Sequence, residues 1–371
     1  MRASLRGPGE KAIDALMLIV GAAGVVLALD PLGEYFGVRA TLQYLVLVSV
    51  VSLAAGFRLL TNPSPWLITL TAGSVAVVLL GFLRGSIDHA ESVLRIFLIP
   101  YAVACAFVAS PTGRFANPSY ARIVLLAGVY VGLALLGWGL LGFFGGMPQL
   151  YHEEVFFLAP VLIAAARSSK KRMLPLAFCF VAAACVVSNK FTAYIVLVIS
   201  GSVAVKAFIE SGLWKRKAWV LPTATGVMAV SCGALATLVY LLTSDSAPSG
   251  SVDVRQYTYA IRWNQFFSAP LLGAESVDSS VIFVGHKDFF VPSHSDLLDV
   301  LAVAGIFGMT VFMVPLAALV KNLWRSGRFA WLGFVLGIVA TAAVNPLLYQ
   351  PPFLAVLAVA VYFSGMKCER R

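Results

Sequence analysis

LLDVLAVAGIFGMTVFMVPLAALVK, residues 297–321, decides the fold class. Its only charges are Asp299 near the start and Lys321 at the end, and a bilayer core takes about 20 mostly apolar residues per helical span. The run is continuous, not alternating. Membrane barrels alternate apolar and polar positions, and an open strand leaves its backbone unsatisfied in lipid, so continuous runs mean helices. Similar runs recur at 12–29, 40–61, 65–83, 93–110, 121–146, 153–167, 173–188, 191–209, 218–243, 329–344 and 351–366. With 297–321 they predict about twelve spans. The whole chain agrees: 60% of its 371 residues are hydrophobic and 12% are charged, against roughly a quarter charged in a soluble domain. Mean hydropathy is +0.89. The reading is an all-α polytopic transmembrane bundle, one integral membrane domain over residues 1–371, with one large outer loop at 244–296.

Lys and Arg set the orientation, because short cytoplasmic loops retain positive charge. With the N-terminus inside, Arg2, Arg6, Lys11, Arg58, Arg114, Arg122, the cluster from Arg167 to Arg172, Lys206 and the cluster from Lys215 to Lys217 all fall inside. Lys321, Arg325, Arg328, Lys367, Arg370 and Arg371 join them. Seven of the 27 basic residues remain for the outer side: Arg39, Arg84, Arg95, Lys190, Arg255, Arg262 and Lys287. Both termini are thus predicted to be cytoplasmic, with the first span acting as a retained signal anchor. The net charge of +10 is a topology signal. The basic loops are short and lack an aromatic platform, which excludes nucleic acid as a partner. Cys105, Cys179, Cys185 and Cys232 sit in apolar runs and Cys368 in the tail, so neither a disulfide nor a cysteine metal site is proposed.

All four histidines, His89, His152, His286 and His294, fall on the outer side. Within the long loop, Arg255, Tyr259 and Arg262 are spaced i, i+4, i+7, which places two guanidinium groups on one helix face around a tyrosine. Such a face holds an anion. The same pattern also fits a surface helix lying on the membrane, with arginines at lipid phosphates and aromatics at the interface. Pro270-Leu-Leu-Gly273 ends that helix. Pro292-Ser-His-Ser-Asp296 then leads into the 297–321 span, where Ser293 or Ser295 can cap and Asp296 and Asp299 suit the positive helix end. Beside them, His294 is wet enough to titrate. Elsewhere, Lys190 after Ser188-Asn189 marks a two-residue turn or points into a cavity. His152-Glu153-Glu154 reads as a hydrated loop, having no recognised metal-ligand spacing. Arg84, Asp88, His89, Glu91 and Arg95 read as a mutually paired outer loop.

A basic residue at a polar break, an outer loop with Arg-x-x-x-aromatic then Pro-Leu-Leu-Gly, and a His-polar-x-Leu run entering a span with Gly-Ile-x-Gly together resemble the O-antigen ligase and O-antigen polymerase superfamily of bacterial inner-membrane enzymes. The resemblance covers most of the chain by topology and residues 255–308 by motif. By it, Arg255 matches the loop arginine, Tyr259 an aromatic usually found as Trp, His294 the histidine that assists catalysis, and Lys190 a position usually held by Arg. The resemblance implies glycosyl transfer from an undecaprenyl-diphosphate-linked glycan at the periplasmic face, in O-antigen, exopolysaccharide or capsule synthesis. It implies no nucleotide sugar, no cofactor and no metal, with membrane lipids and a chain-length regulator as further partners. Guanidinium groups bind phosphate bidentately, so Arg255, Lys190 and Arg262 are the expected diphosphate ligands. His294 is the expected general base, supported by Asp296 and Tyr259. The acceptor, which separates polymerase from ligase, is not encoded in these motifs; the departures from the family pattern lean to a polymerase.

Two other classes compete. A transporter or flippase of lipid-linked glycan places charges or helix breaks at mid-membrane and has matching halves, and the sequence offers neither. A cell-wall glycan polymerase of the shape-and-division type relies on an acidic base, which would put Asp296 or Asp299 ahead of His294.

Overall fold

The computed structural model describes residues 7–30, 39–84, 90–110, 118–145, 153–168, 173–188, 191–210, 251–274 and 295–364. Every regular element among them is helical. In order they are α1 (Pro8–Ala28), α2 (Ala40–Thr61), α3 (Pro65–Arg84), α4 (Ala90–Ala109), α5 (Pro118–Gly145), a 3-10 turn (Glu154–Phe157) continuing into α6 (Leu158–Ala166), α7 (Met173–Ser188), α8 (Phe191–Glu210), α9 (Ser251–Ser268), α10 (Asp296–Arg325), α11 (Phe329–Ala342) and α12 (Pro351–Ser364). Six of them are long and apolar enough to cross a bilayer, and shorter apolar helices accompany them. The chain is a multi-pass membrane-helix bundle. The run at 218–243 lies outside the described residues.

Two helices organise the packing. Against α4 lie α2, α3, α10 and α12, while α6 gathers α5, α7, α8 and α11. Both are rich in alanine where neighbours approach, and small residues let helices pack closely in a membrane. In α4, Ile96 to Ile99 and Ala102 to Ala106 are buried; in α12, nearly every residue is. Outer helices keep large apolar side chains on the surface, among them Leu53, Leu60, Leu79 and Leu126. So much exposed hydrocarbon would not stay monomeric in water; lipid covers it.

The span that decided the fold class is broken. At Gly305 the backbone of α10 takes φ 65, ψ −168, a region essentially reserved for glycine. Nine residues of rise place the break about 13 Å from Asp296, well inside a bilayer core about 30 Å thick. Backbone groups cannot be left open there, and they are not. The N–H of Ile306 donates to Pro270 O at 2.9 Å, that of Phe307 to Leu271 O at 3.1 Å, and the stranded Ala302 carbonyl accepts from Ala274 N at 3.0 Å. The turn after α9 thus replaces one turn of α10. Gly273, at φ 85, completes the fit, since a Cβ there would lie 2.1 Å from Val303 O. A helix break at depth was not expected from the sequence; the structure corrects that.

The same contacts orient α9. Arg262 meets Asp299 and, nine residues on, Leu271 meets Phe307, so the segment advances alongside α10 in the same direction.

Candidate functional site

Polar side chains converge where α2, α4, the 3-10 turn and α10 begin and where α11 passes to α12. Ser295 builds the start of α10: it is extended (φ −150) and its Oγ accepts from Leu298 N at 3.2 Å, the N-cap expected of that serine. The two aspartates of the first turn are not left to the helix end, however. Both are buried. The Asp296 carboxylate accepts from the backbone N–H groups of Leu348 and Tyr349, the latter at 3.2 Å, and so ties the α11–α12 connection to the helix start. Asp299 Oδ1 accepts from Arg262 Nε at 2.8 Å, and Arg262 Nη1 donates to Gln265 Oε1 at 2.8 Å. This pair is buried from both sides, with side-chain exposures of 1% and 2%. A buried ion pair adds little net stability over an apolar replacement, but removing one partner costs about 3–5 kcal/mol. It therefore fixes where α9 sits.

Around this core lies a second set of polar groups. Arg95, in the second turn of α4, stands over the rings of Tyr44 at 5.7 Å and Tyr349 at 5.3 Å, and the Tyr44 hydroxyl donates to the Tyr349 carbonyl. Cation–π contacts of this kind help keep a guanidinium in place. Gln350 Nε2 donates to Glu153 Oε2 at 3.1 Å. Burial pushes the Glu153 carboxyl above its ordinary value, and the Gln350 hydrogen bond opposes part of that rise. Beside it, Glu154 is buried and accepts from Glu153 N at 3.0 Å.

Of the residues singled out in the sequence, Arg262 pairs with Asp299 at the α9–α10 contact, Asp296 instead binds the α11–α12 connection, and Tyr259 is half-buried on α9. Arg255 belongs to α9 by its backbone; its side chain lies outside the described residues, as do Lys190 and His294. In sequence, His294 immediately precedes Ser295 and Lys190 immediately precedes Phe191, the first residue of α8. Arg262, read from the sequence as a diphosphate ligand, has its Nε and Nη1 engaged by Asp299 and Gln265. Two loop readings are corrected: Glu154 is buried, not hydrated, while Glu153 is half-buried, and Arg95 sits within α4 instead of a loop. Sequence reasoning passed over Tyr44, Tyr349 and Gln350. The signal was the polar break Asn345-Pro-Leu-Leu-Tyr-Gln350 between two apolar runs.

Chemically, this end of the bundle offers rigidly held guanidinium groups beside carboxylates that already have partners. No known protein family matches the chain, and no curated protein matches it either.

Proposed function

We propose that the chain is a metal-independent glycosyltransferase that polymerises or ligates undecaprenyl-diphosphate-linked glycan units at the periplasmic face of a bacterial inner membrane. One observation carries the reading: the Arg262–Asp299 pair locks α9, the helix of Arg255, alongside the start of α10, which His294 immediately precedes. This supports an anion-holding helix working together with a proton acceptor that lies close to it in sequence. Arg255 and Lys190 hold the diphosphate as negative charge develops on it, while Arg262, whose charge is spent on Asp299, anchors the helix. The acceptor hydroxyl oxygen bonds to the anomeric carbon, its proton passes to His294, and the lipid diphosphate departs with the electron pair of the broken glycosidic bond. Asp296 supports this geometry by fixing the helix start, and Tyr259 lines the arginine face.

The topology that fits is twelve spans with both termini cytoplasmic. Supporting it, Lys11, Arg58, Arg167, Lys206, Lys321, Arg325 and Arg328 belong to the opposite end of the bundle, where Arg167 Nη1 donates to Gly327 O at 3.1 Å and Lys206 stands over Trp324. The test is a polysaccharide length ladder from cells carrying Arg255→Ala or His294→Ala, with membrane levels of the protein monitored. Loss of long chains at normal protein level is expected; a normal ladder in both strains refutes the proposal.

The break at Gly305 favours a second reading, since discontinuous spans are a transporter feature. Three of its backbone groups, Ile306 N, Phe307 N and Ala302 O, are taken up by the 270–274 turn, though, and not by a substrate. Lipid-linked units accumulating on the cytoplasmic leaflet of a deletion strain would select the transporter.

A further inference from the structure

After its break, α10 has one open side. Ile306, Thr310, Met313 and Ala317 are exposed at helical spacing, followed on the same face by Lys321, Trp324 and Arg325. No residue of α10 before Ile306 is exposed; there the 270–274 turn packs on the helix. From Ile306 to Ala317 the stripe is about 16 Å long at 1.5 Å per residue, close to half of a bilayer core about 30 Å thick. It is thus as deep as one leaflet, and it ends in cations. Lys321 and Arg325 flank Trp324, which is 50% exposed. Lys206 of α8 reaches the same ring, with Nζ 5.3 Å from its centre, and also pairs with Glu210 at 2.9 Å. Among the described residues, neither Lys321 nor Arg325 has a carboxylate partner. Their frame is fixed. The helix closes at Gly327 (φ 66) with Arg328 N donating to Leu323 O at 3.0 Å, and Arg167 Nη1, at the end of α6, donates to the Gly327 carbonyl at 3.1 Å.

We infer that Lys206, Lys321 and Arg325, grouped around Trp324, hold the headgroup of an anionic phospholipid whose acyl chain lies along the Ile306–Ala317 stripe. Length and charge select this occupant. A membrane helix of a partner would follow a stripe through both leaflets, whereas this one stops at mid-membrane, where an acyl chain of one leaflet also stops. At the headgroup, each Lys or Arg close to an anionic lipid adds roughly a fivefold preference. A zwitterionic headgroup brings its own ammonium, which would meet three cations and the carboxylate of Glu210, already engaged by Lys206. The guanidinium of Arg325 can take two phosphate oxygens at once, while the two lysines act as point charges. Trp324 suits the same level, since indole rings collect where headgroups meet hydrocarbon. The site lies at the other end of α10 from Asp299 and does not depend on the transferase reading.

The test uses the full-length protein in phosphatidylcholine bilayers doped with phosphatidylglycerol or phosphatidylethanolamine, each brominated on the acyl chain near the headgroup. Bromine quenches indole fluorescence on contact, and the difference between the parent and Trp324→Phe isolates Trp324 from the other tryptophans. A preference for phosphatidylglycerol on the order of tenfold is expected from two unpaired cations, falling to a few-fold in Lys321→Gln or in Arg325→Gln. Arg122→Gln removes an equal charge from an exposed position on α5 and should leave the preference intact. Equal quenching by the two lipids, or the same loss in Arg122→Gln, overturns the inference and leaves the stripe facing ordinary bilayer lipid. Quenching of Trp324 by neither lipid overturns it as well, because another protein surface then covers the stripe. Quenching of the remaining tryptophans, alike in all variants, reports that the fold is kept. Phosphatidylglycerol retained by the parent on release from detergent, counted by mass spectrometry against phosphatidylethanolamine at equal concentration, checks the preference without any substitution; equal retention refutes it.

Discussion

Replacing Gly305 by Ala tests the broken span directly. At φ 65, ψ −168 an L side chain is strained by about 1–3 kcal/mol. The new Cβ would also lie 2.5 Å from Gly273 N and 2.5 Å from Leu271 O, and both are backbone atoms with little freedom to move. Pushing the turn away loosens the bonds from Ile306 N and Phe307 N, each costing about 1–3 kcal/mol if it is left unmade. With partial relaxation the sum is on the order of 4 kcal/mol. At roughly 2 °C per kcal/mol for a chain of this size, Tm falls by on the order of 8 °C. Reaction of the buried thiols of Cys105 and Cys185 with a maleimide dye during a thermal ramp in detergent measures it. Gly56→Ala is the control: it is helical, and its added Cβ would have nothing within 4 Å, so it melts at or slightly above the parent. If Gly305→Ala melts together with Gly56→Ala, the turn is not what satisfies the break, and the account of α10 fails.

Other outcomes follow from the same contacts. Arg262→Ala and Asp299→Ala should each destabilise by about 3–5 kcal/mol, with the double variant well short of their sum; additive losses would mean the ion pair does not hold α9. Arg262→Lys should not rescue, because one ammonium cannot reproduce the fork that reaches Asp299 and Gln265. Glu153 has a raised folded-state pKa, so its contribution to stability is full below the unfolded carboxylate value and fades as pH rises through the folded one. Glu153→Gln should therefore melt like the parent near pH 4 and higher than the parent at pH 8; equal melting at both would show that the carboxyl is not desolvated.

Much of this protein is written in its sequence. Apolar runs determine membrane helices by themselves, because a backbone in lipid has few ways to satisfy its hydrogen bonds, and nearly every run read from the sequence reappears as a helix among the described residues. Local chemistry was equally legible at the Ser295 cap, where a serine before an apolar run leaves few alternatives. Contacts between distant segments were not. The partner of Arg262 is Asp299, 37 positions away, and in the sequence that aspartate is simply an acid suited to a helix start. Glu154 looks hydrated in the sequence yet is buried, and its neighbour Glu153 accepts from Gln350, 197 positions on. Gly305 looks like one of many membrane glycines, since its positive φ depends on carbonyls that the 270–274 turn supplies. Periodicity reports which residues share a face of one helix. Which helix then meets that face, and at what depth, is set by packing and by buried backbone groups that must find partners, and only the tertiary structure decided it.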